Sequence, residues 1–267
     1  MKKIVFSDVD GTLLNKAHEM TELTVGAVHK LRELGIPFVI ISARSPSGIY
    51  PIKDAYDIKG PTIAYSGGLI LDENKKVLYH KGMPKAQAQE IITHIEEKGY
   101  DLSYCIYSID QWVVKDKKDP RIIDEENIVK AQAMEGTVKD VVDEQINKIL
   151  CICNPDELET IEADLKAKFP DLSIVKSSNK LLEIMPMGMH KAVGVTTLCK
   201  LWDIPLENVA AFGDNYNDVE MLSCAGHGFL MGNAPAKLQE QLKGTVVPTK
   251  DNENDGIYHG LKSLNWI

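Results

Sequence analysis

The sequence predicts an α/β fold with a mostly parallel sheet, interrupted by an inserted α+β block. Three observations carry this. The first third alternates short apolar runs with longer segments of helical period. The pattern changes near Pro84 and returns after residue 187. In the alternating parts, separate apolar runs stop at polar residues, Asp8 and Asp10, Ser42, and Gly213-Asp214, which fall on one edge if the strands are parallel. At 267 residues the chain has room for two domains of ordinary size. The expected division is 1–83 with 188–267 for the α/β part and 84–187 for the insertion.

Taken in order, KKIVFSD reads as a strand and the stretch from Thr21 to Gly35 as an amphipathic helix. There Leu23, Ala27, Leu31 and Leu34 keep helical spacing and Gly35 is a natural stop. Strand IPFVIIS follows, then a helical or irregular segment from Ser47 to Tyr56, strand TIAY, and a hairpin in LILDENKKVLYH turning near Asn74-Lys75. The insertion opens with helix PKAQAQEIITHIEEKG and strands LSYCIYS and QWVVKD, joined through Ile109-Asp110. A helical region near Arg121 to Gln132, strand NKILCIC, helix PDELETIEADLKAKFP and strands LSIVKS and KLLEIMP complete it. The α/β rhythm then resumes with helix HKAVGVTTLCKLW, strand NVAAFGD, helix NDVEMLSC, strand HGFLMG, helix APAKLQEQLK, strand GTVVP and a closing helix from Gly256 to Ser263. Asp251 to Asp255 reads as a solvated acidic turn.

A net charge of −9 argues against nucleic acid as the main partner, because phosphate-backbone binding draws on clustered Lys and Arg. No apolar run approaches the roughly 20 residues that span a bilayer, so no membrane partner is expected. Asp8 and Asp10 break the opening apolar run before it could serve as a signal peptide, and a cytoplasmic location is expected. Five cysteines in mostly apolar contexts do not make a disulfide framework. Cys151 and Cys153 share one strand face without a second ligand pair and are expected to pack. Nothing in the pattern assigns an oligomeric state.

The chemistry lies at the strand ends. Asp8 and Asp10 end the first strand, and GDNYNDVEM places Asp214, Asn217 and Asp218 at a helix entrance. One such aspartate alone would read as a cap. Two carboxylates about 4 Å apart repel by about 4 kcal/mol at an effective dielectric near 20, so four in one place call for a cation. Oxygen-only ligands favour Mg²⁺ over Zn²⁺. A carboxylate beside such a metal suits phosphoryl transfer, since aspartate is ionised at neutral pH and can attack without a base. The reaction also needs a fixed cation, and Lys191, at the return from the insertion, is the candidate. Alone, it would read as a solvated lysine.

These residues together resemble the haloacid dehalogenase superfamily, Cof-like branch with a type IIB cap, over nearly the whole chain. DxDGT stands as Asp8-Val9-Asp10-Gly11-Thr12, the hydroxyl of the second motif as Ser42, the lysine of the third as Lys191, and GDxxND as Gly213 to Asp218. The resemblance implies a Rossmann-like core with a cap that closes over the leaving group. It also implies a Mg²⁺-dependent phosphatase acting on a small-molecule phosphomonoester, such as a sugar phosphate, through an aspartyl-phosphate. Asp8 would attack phosphorus. Asp10 would serve as general acid and then base, with a pKa raised by neighbouring carboxylates. Gly11, Ser42, Ala43, Arg44, Lys191 and Asn217 would surround the phosphoryl group, with Asn217 orienting phosphate or lysine. Asp8, Asp10 through its backbone carbonyl, Asp214 and Asp218 would bind the metal.

Two positions depart from the family's pattern. Ser66-Gly67 replaces Asn-Gly after the third strand, and Ser42-Ala43-Arg44 replaces Thr-Gly-Arg. Both bear on substrate preference and leave nucleophile and metal ligands intact. His190 reads as a surface residue at a helix start, and Trp112, Tyr104 and Tyr107 as core of the insertion. Glu183 is open between packing and contact with a substrate hydroxyl. The alternatives are a phosphomutase or phosphotransferase sharing the aspartyl-phosphate, and a non-catalytic regulatory member, which would be expected to lack a nucleophile or metal ligand.

Overall fold

The structure is a computed structural model and describes residues 2–129 and 131–267. It divides into two compact units. One comprises the chain up to Arg44 together with Ile49–Tyr79 and His190–Ile267, and the other Ser45–Gly48 with His80–Met189.

Among the described residues, the first unit is built on an eight-stranded sheet. Its order is Val247–Pro248, His227–Leu230, Val209–Gly213, Ile4–Ser7, Phe38–Ile41, Thr62–Ala64, Leu69–Leu71, Val77–His80. The first six strands are mutually parallel, and Leu69–Leu71 pairs antiparallel with Thr62–Ala64. Ile4–Ser7, Phe38–Ile41 and Val209–Gly213 are buried throughout, as expected of central parallel strands covered on both faces. Parallel register brings their carboxyl ends to one edge: Ser7 lies opposite both Phe212 and Ile40. Asp8 N then donates to Phe212 O (3.0 Å) and Ser42 N to Ile63 O (3.0 Å).

Thr21 caps the helix Glu22–Glu33, its side chain accepting from Thr24 N. The buried stripe is Thr24, Ala27, Val28 and Leu31, whereas Leu23 and Leu34 are both 51% exposed. Both sets satisfy the spacing of a helical face. Packing against the Gly256–Ser263 helix accompanies the stripe that contains Val28. The segment left open at Ser47 to Tyr56 is helix Pro46–Ala55. The hairpin turns at Asp72–Lys76, where Asp72 Oδ1 accepts from Asn74 N and Lys76 N (2.8 Å each) and Lys75 takes φ 64°.

The second unit holds a six-stranded sheet, ordered Leu172–Lys176, Leu181–Pro186, Lys148–Cys153, Leu102–Ser108, Gln111–Val114, Met134–Glu135, antiparallel except for the last pair. Helices Lys85–Lys98 and Leu158–Lys168 bury Ile91, Ile95, Ile161 and Leu165 in a cluster with Ile106, Ile149, Cys151 and Ile184. Trp112, Tyr104 and Tyr107 are buried, and Tyr107 stacks on Trp112 with centroids 5.6 Å apart. Cys151 and Cys153 are buried free thiols. Glu183 pairs with Lys148 Nζ at 3.3 Å, a largely buried ion pair. The short pair Met83–Pro84 and Gln145–Ile146 escaped the sequence reading because two residues carry no periodicity. No helix among the described residues is long and apolar enough to cross a membrane.

The two candidate stripes of the Glu22–Glu33 helix make opposite predictions. They share Ala27 and Leu31 and part at Val28 and Leu23: Val28→Ala should cost about 1.5–3 kcal/mol of unfolding free energy, and Leu23→Ala less than about 0.5, both measured by urea denaturation.

Candidate active site

Lys191 is the first residue of helix Lys191–Trp202 and is fully buried. Its Nζ lies 2.6 Å from Asp8 Oδ1 and 2.5 Å from Asp218 Oδ1. The helix start reaches this position because two glycines let backbone meet backbone. A Cβ on Gly67 would stand 2.8 Å from His190 O and 2.9 Å from Gly194 N, and one on Gly194 would stand 3.1 Å from Gly67 Cα. The loop before Gly67 is left-handed at Tyr65 (φ 51°) and Ser66 (φ 52°), and Ser66 N donates to Ser42 O at 2.9 Å. Asparagine tolerates such backbone angles better than serine, which gives the family's Asn a conformational reason. Here the serine adopts them.

The other half of the centre follows strand Val209–Gly213. Asp218 is fully buried, and its Oδ2 accepts from Asp214 N (2.9 Å) and Asn215 N (3.0 Å), closing a capping box around the turn. Thr12 Oγ1 donates to Asp214 Oδ1 at 2.8 Å. Gly11, at φ +84°, admits no side chain, since a Cβ there would lie 2.3 Å from Asp214 Oδ2. One carboxylate oxygen from each of Asp8, Asp214 and Asp218 lies within 4.8 Å of the others. Three carboxylates against one lysine leave a charge of −2 on an all-oxygen donor set, which fits a divalent hard cation such as Mg²⁺.

The titration behaviour follows. Burial pushes the Asp8 carboxyl up, against the nearby Lys191 charge, and Asp218 adds to the rise. Burial also raises Asp214, to about 6, opposed by the Thr12 hydrogen bond and reinforced by Asp218. Burial pulls the Lys191 pKa down, but Asp8 and Asp218 outweigh burial and raise the pKa above its ordinary value.

Two expectations need correction, the surroundings of Asp10 and the place of His190. The Asp10 carboxylate stands outside the acidic group, 52% exposed, and is clamped by Arg44, with Nε donating to Oδ2 at 3.0 Å and Nη2 to Oδ1 at 2.6 Å. The neighbour expected to be a cluster of carboxylates is a guanidinium. Asn217 is exposed in the turn; Lys191 is held by Asp8 and Asp218, which leaves contact with the phosphoryl group as the part of the expected Asn217 role that stays open. His190 is half-buried rather than superficial, and its Nδ1 is buried without a partner. Ser42 is buried where expected, its Oγ accepting from Arg44 N at 3.2 Å, with Ala43 half-buried beside it. Thr12 carried no role of its own in the sequence reading, and Asn233 and Asn252 were missed. Asn233 follows the strand His227–Leu230, so the strand-end rule applied to HGFLMGN would have found it. Asn252, in the turn expected to be solvated, is buried.

A parallel sheet gathers buried carboxylates around a buried lysine, an acidic centre that could hold a cation. Residues 5–261 match the model of the haloacid dehalogenase-like hydrolases, and the chain belongs to that family. It is similar to a Haemophilus influenzae protein named "Putative phosphatase", 35% identical over 257 residues that make up 96% of each chain. It is 28% identical to an HMP-PP phosphatase of Yersinia pseudotuberculosis, covering 100% of this chain and 96% of that one. Among solved structures it resembles a haloacid dehalogenase-like hydrolase from Bacteroides thetaiotaomicron, with a TM-score of 0.88, 26% identity, and coverage of 99% and 100%.

A carboxyl with a folded-state pKa above its unfolded value favours the fold at low pH and costs stability above the raised pKa. For Asp214 the loss develops as pH rises from 3.8 to about 6. In EDTA, Asp214→Asn should therefore melt above the wild type near pH 8, and this advantage should vanish near pH 4. Scanning calorimetry at both pH values checks it.

Proposed function

We propose that the protein is a Mg²⁺-dependent phosphatase of small phosphomonoesters, working through an aspartyl-phosphate on Asp8. The observation that carries this is the buried nucleophile held beside a buried ammonium, Asp8 Oδ1 to Lys191 Nζ at 2.6 Å, within a carboxylate group of net charge −2. The relatives named as phosphatases support the reaction class, and the HMP-PP phosphatase supports a small phosphorylated metabolite, of which a sugar phosphate is one form.

An Asp8 oxygen attacks phosphorus, forming the O–P bond as the bond to the leaving alkoxide breaks. Asp10 gives the alkoxide a proton, then takes one from the water that attacks the aspartyl-phosphate, as the Asp8 oxygen–phosphorus bond breaks and phosphate leaves the regenerated carboxylate. To do so it must leave the Arg44 clamp, and its exposure allows exchange with solvent. Lys191 balances charge on the phosphoryl oxygens as the dianion approaches. Ser42 donates its hydroxyl proton to the same group. Asp8 and Asp214, with the Asp10 carbonyl, are the residues that would hold Mg²⁺, which supplies Lewis-acid stabilisation of phosphoryl charge. Asp218 spends Oδ2 on two backbone N–H groups and one lone pair of Oδ1 on Lys191, so it orients Lys191 and the Asp214 turn and keeps one Oδ1 lone pair that could reach the ion directly or through water.

Two substitutions test the roles. Asp8→Asn should lower phosphate release from p-nitrophenyl phosphate by more than the roughly hundred- to thousandfold cost of losing one charge-stabilising donor; wild-type turnover would remove Asp8 as nucleophile. In kcat/KM, which reports the first transfer and not the later hydrolysis that Asp10 also serves, Asp10→Asn should lose about 10²–10⁴-fold on an alkyl phosphate and far less on p-nitrophenyl phosphate, whose leaving group needs no proton. Equal losses on both esters would deny Asp10 the acid role.

A further inference from the structure

We propose that Asn233 is a positioning residue for the metal centre, one amide that ties the Asp214 carboxylate to the loop following Asp8. The inference rests on the phosphatase reading above. Asn233 Nδ2 donates to Gly11 O at 2.8 Å and to Asp214 Oδ2 at 3.3 Å. Its Oδ1 accepts from Asn252 N at 3.2 Å. These contacts fix which way the amide points: turned over, its oxygen would face two oxygens and its NH₂ would face an N–H. Asn252 is itself held, because its buried side chain donates to Leu14 O at 2.8 Å, and Lys16 N donates to Glu253 Oε1 at 2.9 Å. The 251–255 turn is thus pinned to the nucleophile loop, and Asn233 hangs between that turn and Asp214.

Asp214 therefore meets a neutral donor on each oxygen, Thr12 on Oδ1 and Asn233 on Oδ2. Each oxygen keeps a second lone-pair site for a cation. A lysine or arginine in place of Asn233 would also orient the carboxylate, but would cancel the charge a cation needs. The same amide holds Gly11 O, so the loop carrying Asp10 and the Asp214 carboxylate are set by one side chain across 222 positions of sequence. Asn233 is exposed, so its bonds compete with water and add little to the fold. Metal affinity is the property that separates a positioning role from a structural one.

The test titrates Mg²⁺ into wild type, Asn233→Ala and Asn252→Ala by calorimetry, with melting temperatures in EDTA and the Mg²⁺ dependence of p-nitrophenyl phosphate hydrolysis alongside. Loss of an orienting partner costs about 10- to 100-fold in metal affinity. Asn233→Ala should bind Mg²⁺ at least about tenfold more weakly, melt in EDTA close to the wild type, and lose less in kcat at saturating Mg²⁺ than in affinity. Asn252→Ala, which frees the amide to turn, should fall between the two. An Asn233→Ala protein with wild-type Mg²⁺ affinity, whether or not it melts lower, overturns the inference alone. A wild type that neither binds Mg²⁺ nor releases phosphate overturns the phosphatase reading and this inference with it.

Discussion

Lys191 carries its charge where no water reaches it, and the acidic centre is arranged around that fact. A buried ammonium without partners would cost several kcal/mol, so the carboxylates of Asp8 and Asp218 are a condition of its being there. The close backbone approach of Gly67 to Gly194 lets the Lys191 helix start where it does. The capping box at Asn215 and Asp218 spends the second oxygen of Asp218 on two backbone N–H groups, so this carboxylate cannot swing away from the lysine. One positive charge does not balance three negative ones, and the remaining −2 is what makes the centre receptive to a divalent ion.

The two aspartates of the opening stretch live in different environments although one residue separates them. Asp8 is buried beside a fixed cation, and the nucleophilic role proposed for it would ask it to hold a single geometry. Asp10 faces solvent under a guanidinium clamp, and the proton transfers proposed for it would need that access. A pleated strand end turns consecutive side chains to opposite sides, but i and i+2 would share a side in a regular strand. The strand ends at Ser7 and the chain turns at Val9, whose carbonyl accepts from Leu13 N and Leu14 N, so the alternation no longer holds between Asp8 and Asp10; left-handed Gly11 then brings Thr12 to Asp214.

Much of this was legible because parallel strands announce their carboxyl ends. IVF ending at Asp8, FVII at Ser42 and VAAF at Gly213-Asp214 are apolar runs with no alternative place in a soluble fold, and their parallel pairing follows from the helices between them. Lys191 could be placed at the return from the insertion, yet its complete burial could not, because burial depends on Gly67 meeting Gly194 across more than a hundred residues. The same limit hid the Arg44 clamp on Asp10 and the pairing of Asn233 with Gly11 and Asp214, though the end of the HGFLMG strand pointed to that residue. Each is a pair that only the folded backbone brings together. On the Glu22–Glu33 helix the difficulty was local: apolar residues at Leu23 and Leu34 mimic a stripe that the core does not use.

The most direct measurement is a crystal structure of the protein grown with Mg²⁺ and beryllium fluoride, a mimic of the phosphoryl group. Density for the fluoride on an Asp8 carboxylate oxygen, within reach of Lys191 and beside a cation held by Asp214, is the expected result. An adduct on Asp10, or an acidic group that holds no cation while the fluoride stays free in solution, would contradict the assignment of Asp8 as nucleophile in a metal-dependent centre.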